Sequence, residues 1–197
     1  PPTLDPERRL ARLADYKKAS EGYYRLPMLM ITGFSTYTFL RGFENTMIDF
    51  AAEPEMAGAL LDKIFNFEKQ AMTLAAEAGF DGVDVKSCHR YLVSELLASF
   101  TREGRYGGSF ENRTRFLLET LARIRRDQPG LFITTRMNAF DAIPYPFGFG
   151  VNRDNPRIPD LTEPRELARR LAALGVPVLN VSLGNPYYNP QVGRPFD

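Results

Sequence analysis

Six consecutive residues, Lys86 to Tyr91, hold an unusual concentration of reactive side chains. They include the only histidine of the chain, His89, and its only cysteine, Cys88. They follow the apolar run 81–85, which predicts a strand that ends here. A lysine ammonium and an imidazole can both donate hydrogen bonds to a carbonyl oxygen, and a phenol can deliver a proton. The pattern therefore predicts a site where Lys86 and His89 polarise an unsaturated carbonyl and Tyr91 protonates its carbon.

Other interpretations of these residues compete with that chemistry. A nucleophilic pair of Cys88 and His89 is disfavoured, because neighbours on an extended chain point to opposite sides. A metal site from Asp84, Cys88 and His89 lacks a second histidine and a recognised ligand spacing. Cys88 is expected to be a small buried residue. Tyr91 packed beneath the following helix stays open as an alternative to a catalytic role.

The elements that position this cluster alternate along the chain. Short apolar runs predict strands at 26–34, 81–85, 131–137 and 176–182, and helical patterns lie between them. Helix signals include Pro54 in a first turn, Ser109 and Thr162 as caps, and Gly79, Gly130 and Gly175 as terminators. We expect a parallel α/β fold with about four strands, roughly half of a (β/α)₈ barrel. A doubly wound open sheet is the second choice, weakened because no G-x-G-x-x-G follows a strand.

Composition narrows the function further. The chain has 197 residues and a formal net charge of +1, which gives no reason to expect binding to nucleic acid or to an anionic membrane. A single cysteine cannot form an internal disulfide, so the cytoplasm is the expected compartment. The longest uncharged stretch, 26–40, is too short and too polar to span a bilayer. A small-molecule substrate is the partner that remains.

From about residue 78 onward, several segments together resemble the old yellow enzyme family of FMN-dependent NAD(P)H oxidoreductases. They are AGFDGVDVKSCHRYLVSELL (78–97), RYGGSFENRTRFLLETLARIR (105–125), ITTRMNAFD (133–141) and GVPVLNVSLG (175–184). The run YGGSFENRTRF is the most specific of them. The resemblance implies a barrel that carries FMN at the strand C-termini and passes a hydride from NAD(P)H to an activated alkene or a similar acceptor.

The resemblance also assigns residue roles. The family places a His-x-x-His or His-x-x-Asn pair on the substrate oxygen and a proton-donating tyrosine two residues further. His89 matches the second member and Tyr91 the tyrosine, whereas Lys86 stands where the first histidine is usual and Arg90 where a glycine is usual. The lysine favours an anionic or strongly polarised acceptor, or a role in tuning the flavin. Arg136 matches the arginine that contacts the flavin ring.

Residues 5–83 resemble a different family, the uroporphyrinogen decarboxylase superfamily with its methyltransferase-like members. The Glu-Pro-Glu helix start at 53–55 and the Leu-Asp-Lys-Ile run at 61–64 carry that likeness. The arginine-rich N-terminal segment of that family has no counterpart, so no site residue is carried over. We expect two βα segments, 1–83 and 78–197, that meet at AGFDGV within one continuous partial barrel.

These resemblances lead to an expectation about activity. The chain lacks the last two strands of the old yellow enzyme barrel, which supply the FMN phosphate loops, and its first strand is missing or replaced. We therefore expect a fragment that binds FMN weakly or not at all and is inactive alone. A decarboxylase-like or methyltransferase-like fragment and a non-catalytic fragment are the alternatives. Unpaired strand edges predict homo-oligomers.

Overall fold

The computed structural model describes residues 15–23, 33–77 and 79–193. The chain divides into two compact units, Pro1–Asp81 and Gly82–Asp197. The predicted strand at 26–34 falls almost wholly outside the described residues, and residues 15–19 are helical.

The first unit is helical where it is described. Helix α1 spans Phe34–Arg41, α2 spans Phe43–Ala52 and α3 spans Pro54–Glu77. The glycine predicted to end α3, Gly79, takes the expected left-handed conformation with φ of 74°. The core of this unit is built from Tyr37, Ala57 and Ile64, and the Tyr37 hydroxyl donates to Asp49, 2.9 Å away.

The second unit is a three-stranded parallel sheet with helices between the strands. Its elements are β1 (Gly82–Ser87), α4 (Leu92–Leu97), α5 (Phe110–Asp127), β2 (Phe132–Phe140), α6 (Thr162–Ala173), β3 (Val178–Leu183) and α7 (Pro190–Gly193). The strands lie in the order β1-β2-β3, each parallel to its neighbour. Consecutive strands that lie side by side are the arrangement of successive βα units in a partial (β/α)₈ barrel. The predicted α/β class is confirmed.

One face of this sheet carries the hydrophobic core. Ile133 and Met137 of β2 pack there with Leu117 and Leu121 of α5 and with Leu167 of α6. Because side chains alternate along a strand, Thr134, Arg136 and Asn138 belong to the opposite face of β2. That second face is polar, and it is the face on which the predicted chemistry depends.

Two helix signals were interpreted wrongly. Helix α5 ends at Asp127 rather than at Gly130, because the backbone of Gln128 leaves the helical region, with φ of −136° and ψ of 66°. Thr162 does not cap α6 with its side chain. It is the first helical residue, and its own N–H donates to the Asp160 carboxylate, 3.0 Å away. Ser109 is confirmed as a cap, since its hydroxyl accepts from the Asn112 N–H.

Candidate functional site

Strand pairing places Lys86 and Arg136 side by side. Lys86 of β1 is in register with Arg136 of β2, which is in register with Asn180 of β3. Parallel strands in register present such residues on the same face. Two cations and an amide therefore form a row across the polar face, with Lys86 near the C-terminal end of β1 and Arg136 and Asn180 in the middle of their strands.

Next to this row on the same face, Asp84 and Thr134 already form a hydrogen bond with each other. Asp84 is in register with Thr134, and the Thr134 hydroxyl donates to the Asp84 carboxylate, 2.5 Å away. Asp84 therefore has a structural partner in Thr134. Within the described parts of the chain, no cluster of three His, Cys, Asp or Glu residues could hold a metal ion.

Arg136 has an unusual feature. Its Nε is buried and has no hydrogen-bond partner among the residues that the structure describes. A buried donor without a partner costs about 1–3 kcal/mol, so such a group is expected to meet an acceptor in the functional state. An anionic or carbonyl-bearing ring lying on this face would provide that acceptor.

The turn after β1 is built from two left-handed residues. His89 has φ of 61° and Arg90 has φ of 59°, a region that non-glycine residues rarely adopt. Glycine would occupy the Arg90 position without strain. The arginine is retained there by contacts of its guanidinium, which donates to the Phe147 carbonyl at 2.6 Å and to Glu95 at 2.5 Å.

This turn sends Cys88 and His89 into different environments. Cys88 is fully buried, as predicted, and burial raises the pKa of its thiol. His89 is only partly buried, and its pKa is lowered by desolvation and then by the positive charges of Arg136 and Lys86. A neutral imidazole that lies within the field of two cations can donate one hydrogen bond to an anionic or polarised oxygen.

Tyr91 lies directly under a cation. The Lys86 ammonium is 3.7 Å from the centroid of the Tyr91 ring. Tyr91 is 42% exposed, so it is not packed away beneath α4, although it immediately precedes that helix. Lys86 thus contacts Tyr91 and lies beside Arg136 through the strand register. His89 is close enough to both cations for their charges to lower its pKa.

One residue at this site was missed from the sequence. The hydroxyl of Tyr187 lies 3.0 Å from that of Tyr91. Tyr187 belongs to the segment GNPYYNP, which follows the predicted strand 176–182 and to which we assigned no role. The available signal was its position, because it follows β3 at the same edge of the sheet as the turn after β1.

The described residues also enclose a cavity of about 290 Å³ beside this turn. Arg90, Glu95, Arg102 and Phe147 are among its lining residues, whereas Lys86, His89, Tyr91 and Arg136 are not. The ion pair between Arg90 and Glu95 lies within its lining. The predicted chemistry therefore lies on the open polar face and not in this cavity.

The chain was compared with known proteins. Residues 57–146 match the model of the NADH:flavin oxidoreductase / NADH oxidase family. The match starts inside the segment that resembles uroporphyrinogen decarboxylases, and that second resemblance stays a prediction. No helix among the described residues is long and apolar enough to cross a membrane.

Individual relatives cover more of the chain. An NADPH dehydrogenase of Geobacillus sp. (strain WCH70) is 33% identical over 133 residues, which are 66% of this chain and 35% of that protein. A putative 12-oxophytodienoate reductase 3 of Oryza sativa subsp. japonica is 32% identical over 109 residues, 51% of this chain and 28% of that protein. The chain thus spans about a third or less of the relatives it matches.

Solved structures give a weaker likeness. An old yellow enzyme homologue from Zymomonas mobilis has a TM-score of 0.43 at 22% identity and covers 63% of this chain and 36% of that one. The old yellow enzyme from Trypanosoma cruzi also has a TM-score of 0.43, at 21% identity, and covers 59% of this chain and 29% of that one.

Proposed function

We propose that the polar face of the sheet is the acceptor side of an FMN-dependent NAD(P)H oxidoreductase, on the premise that residues 57–146 match the NADH:flavin oxidoreductase / NADH oxidase family. The acceptor is an activated alkene or a similar unsaturated carbonyl compound. The observation that carries the proposal is the row of Lys86 and Arg136 on one face, with Tyr91 against Lys86 and His89 within the field of both cations.

The residues present fit the flavin ring at one position. Arg136 offers a buried N–H without a protein acceptor, and a guanidinium stabilises the negative charge of a reduced ring. When bound, FMN would supply the hydride that the acceptor's β-carbon receives. Arg136 would hold the ring through hydrogen bonds and charge.

The other three side chains act on the acceptor. Lys86 and His89 donate hydrogen bonds to its carbonyl oxygen and stabilise the negative charge that develops there. Tyr91 holds a proton for the α-carbon, and its pKa is raised above the ordinary value of a tyrosine. A raised pKa keeps the phenol protonated near neutral pH, as a proton donor requires.

Weak FMN binding by this chain alone remains part of the proposal. The described residues would contact the ring through Arg136, whose buried Nε has no acceptor among them. The alternatives of a decarboxylase-like or methyltransferase-like fragment and of a non-catalytic fragment make a different prediction, because neither requires Arg136 to meet a flavin.

A titration of FMN fluorescence tests this proposal. We expect wild-type chain to quench FMN with low affinity and Arg136→Met to abolish most of the quenching. Arg123→Met is the control, since it removes the same charge from a side chain that is 77% exposed on α5. Equal quenching by all three chains, or none by wild type at the highest FMN concentration, contradicts the proposal.

A further inference from the structure

The turn that carries Tyr187 is held rigidly by two buried asparagines, Asn185 and Asn189. The Asn185 side-chain oxygen accepts from the N–H of Tyr187 at 2.7 Å. The Asn189 side-chain oxygen accepts from the Asn185 N–H at 2.6 Å. Its amide nitrogen donates to the carbonyls of Asp141 at 3.1 Å and Ala142 at 2.8 Å. These bonds fix the turn after β3 to the loop after β2.

This turn places Tyr187 beside Tyr91, which is 96 residues away in the sequence. Tyr187 is 73% exposed, so burial of its ring does not explain its position. Its neighbour Tyr188 is also exposed, but it is the hydroxyl of Tyr187 that lies within hydrogen-bond distance of the Tyr91 hydroxyl. The ordinary interpretation is a surface hydrogen bond worth about 0.5–1.5 kcal/mol. Because its partner is Tyr91, the proposed proton donor, we expect this hydrogen bond to have a role beyond stability.

We propose that Tyr187 is a positioning residue for Tyr91, donating its hydroxyl proton to the Tyr91 oxygen so that the Tyr91 proton points to the acceptor. A phenol has one proton to donate. If Tyr91 donated it to Tyr187, that proton would be directed away from the acceptor. Tyr187 must therefore be the donor of the pair. This inference rests on the proposed function, since it assigns a task to the same site.

The proton balance follows from this arrangement. The O–H bond of Tyr91 breaks as a C–H bond forms at the acceptor's α-carbon, and the electron pair stays on the Tyr91 oxygen. Tyr187 already donates a hydrogen bond to that oxygen and stabilises its negative charge. The Tyr187 proton then moves to Tyr91, and water returns a proton to Tyr187, whose exposure gives solvent access. No further oxidant or reductant is needed for this transfer.

The Lys86 ammonium supports the same step. It lies 3.7 Å from the Tyr91 ring centroid, where a positive charge favours the electron-rich phenolate. Tyr91 is thus contacted by a cation over its ring and by a hydroxyl at its oxygen, and both stabilise the form that remains after proton donation.

The first test measures the Tyr91 hydroxyl directly and needs no flavin. Tyrosine labelled with ¹³C at Cζ is titrated by NMR, and the Tyr91 signal is identified by its loss in Tyr91→Phe. We expect Tyr187→Phe to raise the pKa of Tyr91, because it removes a hydroxyl that donates to the Tyr91 oxygen and stabilises the phenolate. Tyr188→Phe, at 65% exposure in the same turn, is the control that leaves it unchanged. An unchanged Tyr91 pKa in Tyr187→Phe overturns the inference, and so does a lowered one, because it would show that Tyr91 is the donor of the pair.

The second test separates this inference from the proposed function. With FMN, NADPH and cyclohex-2-enone in excess, we expect Tyr91→Phe to slow the reduction of the alkene strongly and Tyr187→Phe to slow it on the order of tenfold. The double variant should match Tyr91→Phe alone, because Tyr187 acts through Tyr91. Full activity of Tyr187→Phe beside a slow Tyr91→Phe rejects the inference only. No effect of Tyr91→Phe on a measurable wild-type rate rejects the proposed function. No reduction by wild type is the inactivity expected of this chain alone, and the NMR titration then decides the inference by itself.

Discussion

His89 shows how the two cations of the polar face act on a neighbour. Desolvation lowers its pKa first, and the charges of Arg136 and then Lys86 lower it further. The imidazole is therefore neutral at pH 7, and it can donate a hydrogen bond without adding a third positive charge to the site. A neutral His89 in the field of two cations can donate a hydrogen bond to an acceptor oxygen that becomes negative during reduction.

Because the chain has a single histidine, this pKa can be measured without assignment. We expect proton NMR to give a value below 6.5 for His89. Arg136→Met should raise it more than Lys86→Met, following the order of the two charges. Arg123→Met should leave it unchanged. A value at or above 6.5 in wild type would show that the two cations lie farther from His89 than the structure places them.

The same shift has a consequence for stability. A lowered pKa means that the unfolded chain binds a proton at His89 more readily than the folded one. This group therefore removes stability as the pH falls below the unfolded value near 6.5, and its effect becomes constant below the folded value. Above pH 7 both states are neutral at this position, and His89 makes no contribution to the pH dependence.

Arg90 stands where glycine would be free of strain. Its φ of 59° costs a residue with a Cβ about 1–2 kcal/mol. Arg90→Gly and Arg90→Ala both remove the contacts of the guanidinium to Phe147 and Glu95, so the difference between them isolates the backbone. We expect the glycine variant to be more stable by about 1 kcal/mol in urea unfolding.

The control for Arg90 is a pair of substitutions at Arg105, which is not among the residues with positive φ. There the order should reverse, with Arg105→Ala more stable than Arg105→Gly by about 0.4–1 kcal/mol, because glycine gains freedom in the unfolded chain. The same order at both positions would mean that the left-handed turn is not the folded conformation of Arg90.

At the scale of elements, the run YGGSFENRTRF is explained by structure rather than by chemistry. A Cβ at Gly107 would lie 2.4 Å from the Arg102 carbonyl oxygen, so only glycine fits there. Ser109 caps α5. Arg113, 2% exposed, donates to the carbonyls of Gly108 and Leu97 and to Glu163, which joins α5 to α4 and α6. The most specific part of the sequence thus holds helices α4, α5 and α6 together and has a structural role.

Loss of the Arg113 contacts should lower the free energy of unfolding. Arg113→Met leaves the buried Leu97 carbonyl and the partly buried Gly108 carbonyl without this donor and Glu163 without its partner, so we expect a loss of about 3–5 kcal/mol in urea unfolding. Arg115→Met is the control on the same helix. Its side chain is 36% exposed, and the expected loss is within about 0.5 kcal/mol. Similar losses for the two variants would contradict the role given to Arg113.

Local signals predicted the strands well, and long-range contacts were beyond them. β1, β2 and β3 lie within a few residues of the predicted runs, because alternation and apolar content are properties of the segment itself. The cap at Ser109 and the left-handed Gly175 were also found from neighbouring residues alone. Gly130 was misread because Gln128 closes α5 first, and glycine alone does not say which residue ends a helix.

The candidate site divides in the same way. Lys86, His89 and Tyr91 were selected because they are close in sequence, and Arg136 by resemblance. Tyr187 was missed because its contact spans 96 residues and depends on the turn fixed by Asn185 and Asn189. The left-handed turn at His89 and Arg90 was missed as well, because contacts of Arg90 with a distant loop stabilise it.

For the molecule as a whole, β3 presents exposed apolar side chains at one edge of the sheet. Among the described residues it pairs only with β2, so its other edge has no partner strand there. Val178, Val181 and Leu183 are 51%, 55% and 51% exposed. An apolar strand with an open edge is a template for association with a second strand. The predicted homo-oligomer through strand edges therefore acquires a specific location.

We expect sedimentation velocity to show an average mass that rises with protein concentration. Val181→Lys should reduce this rise, because a lysine on an edge strand adds a charge that a pairing strand must desolvate. Ile158→Lys is the matched control, since Ile158 is also exposed, at 51%, but lies in the loop before α6. A concentration-independent monomer in wild type, or an equal effect of the two substitutions, would exclude β3 as the surface through which copies of this chain associate.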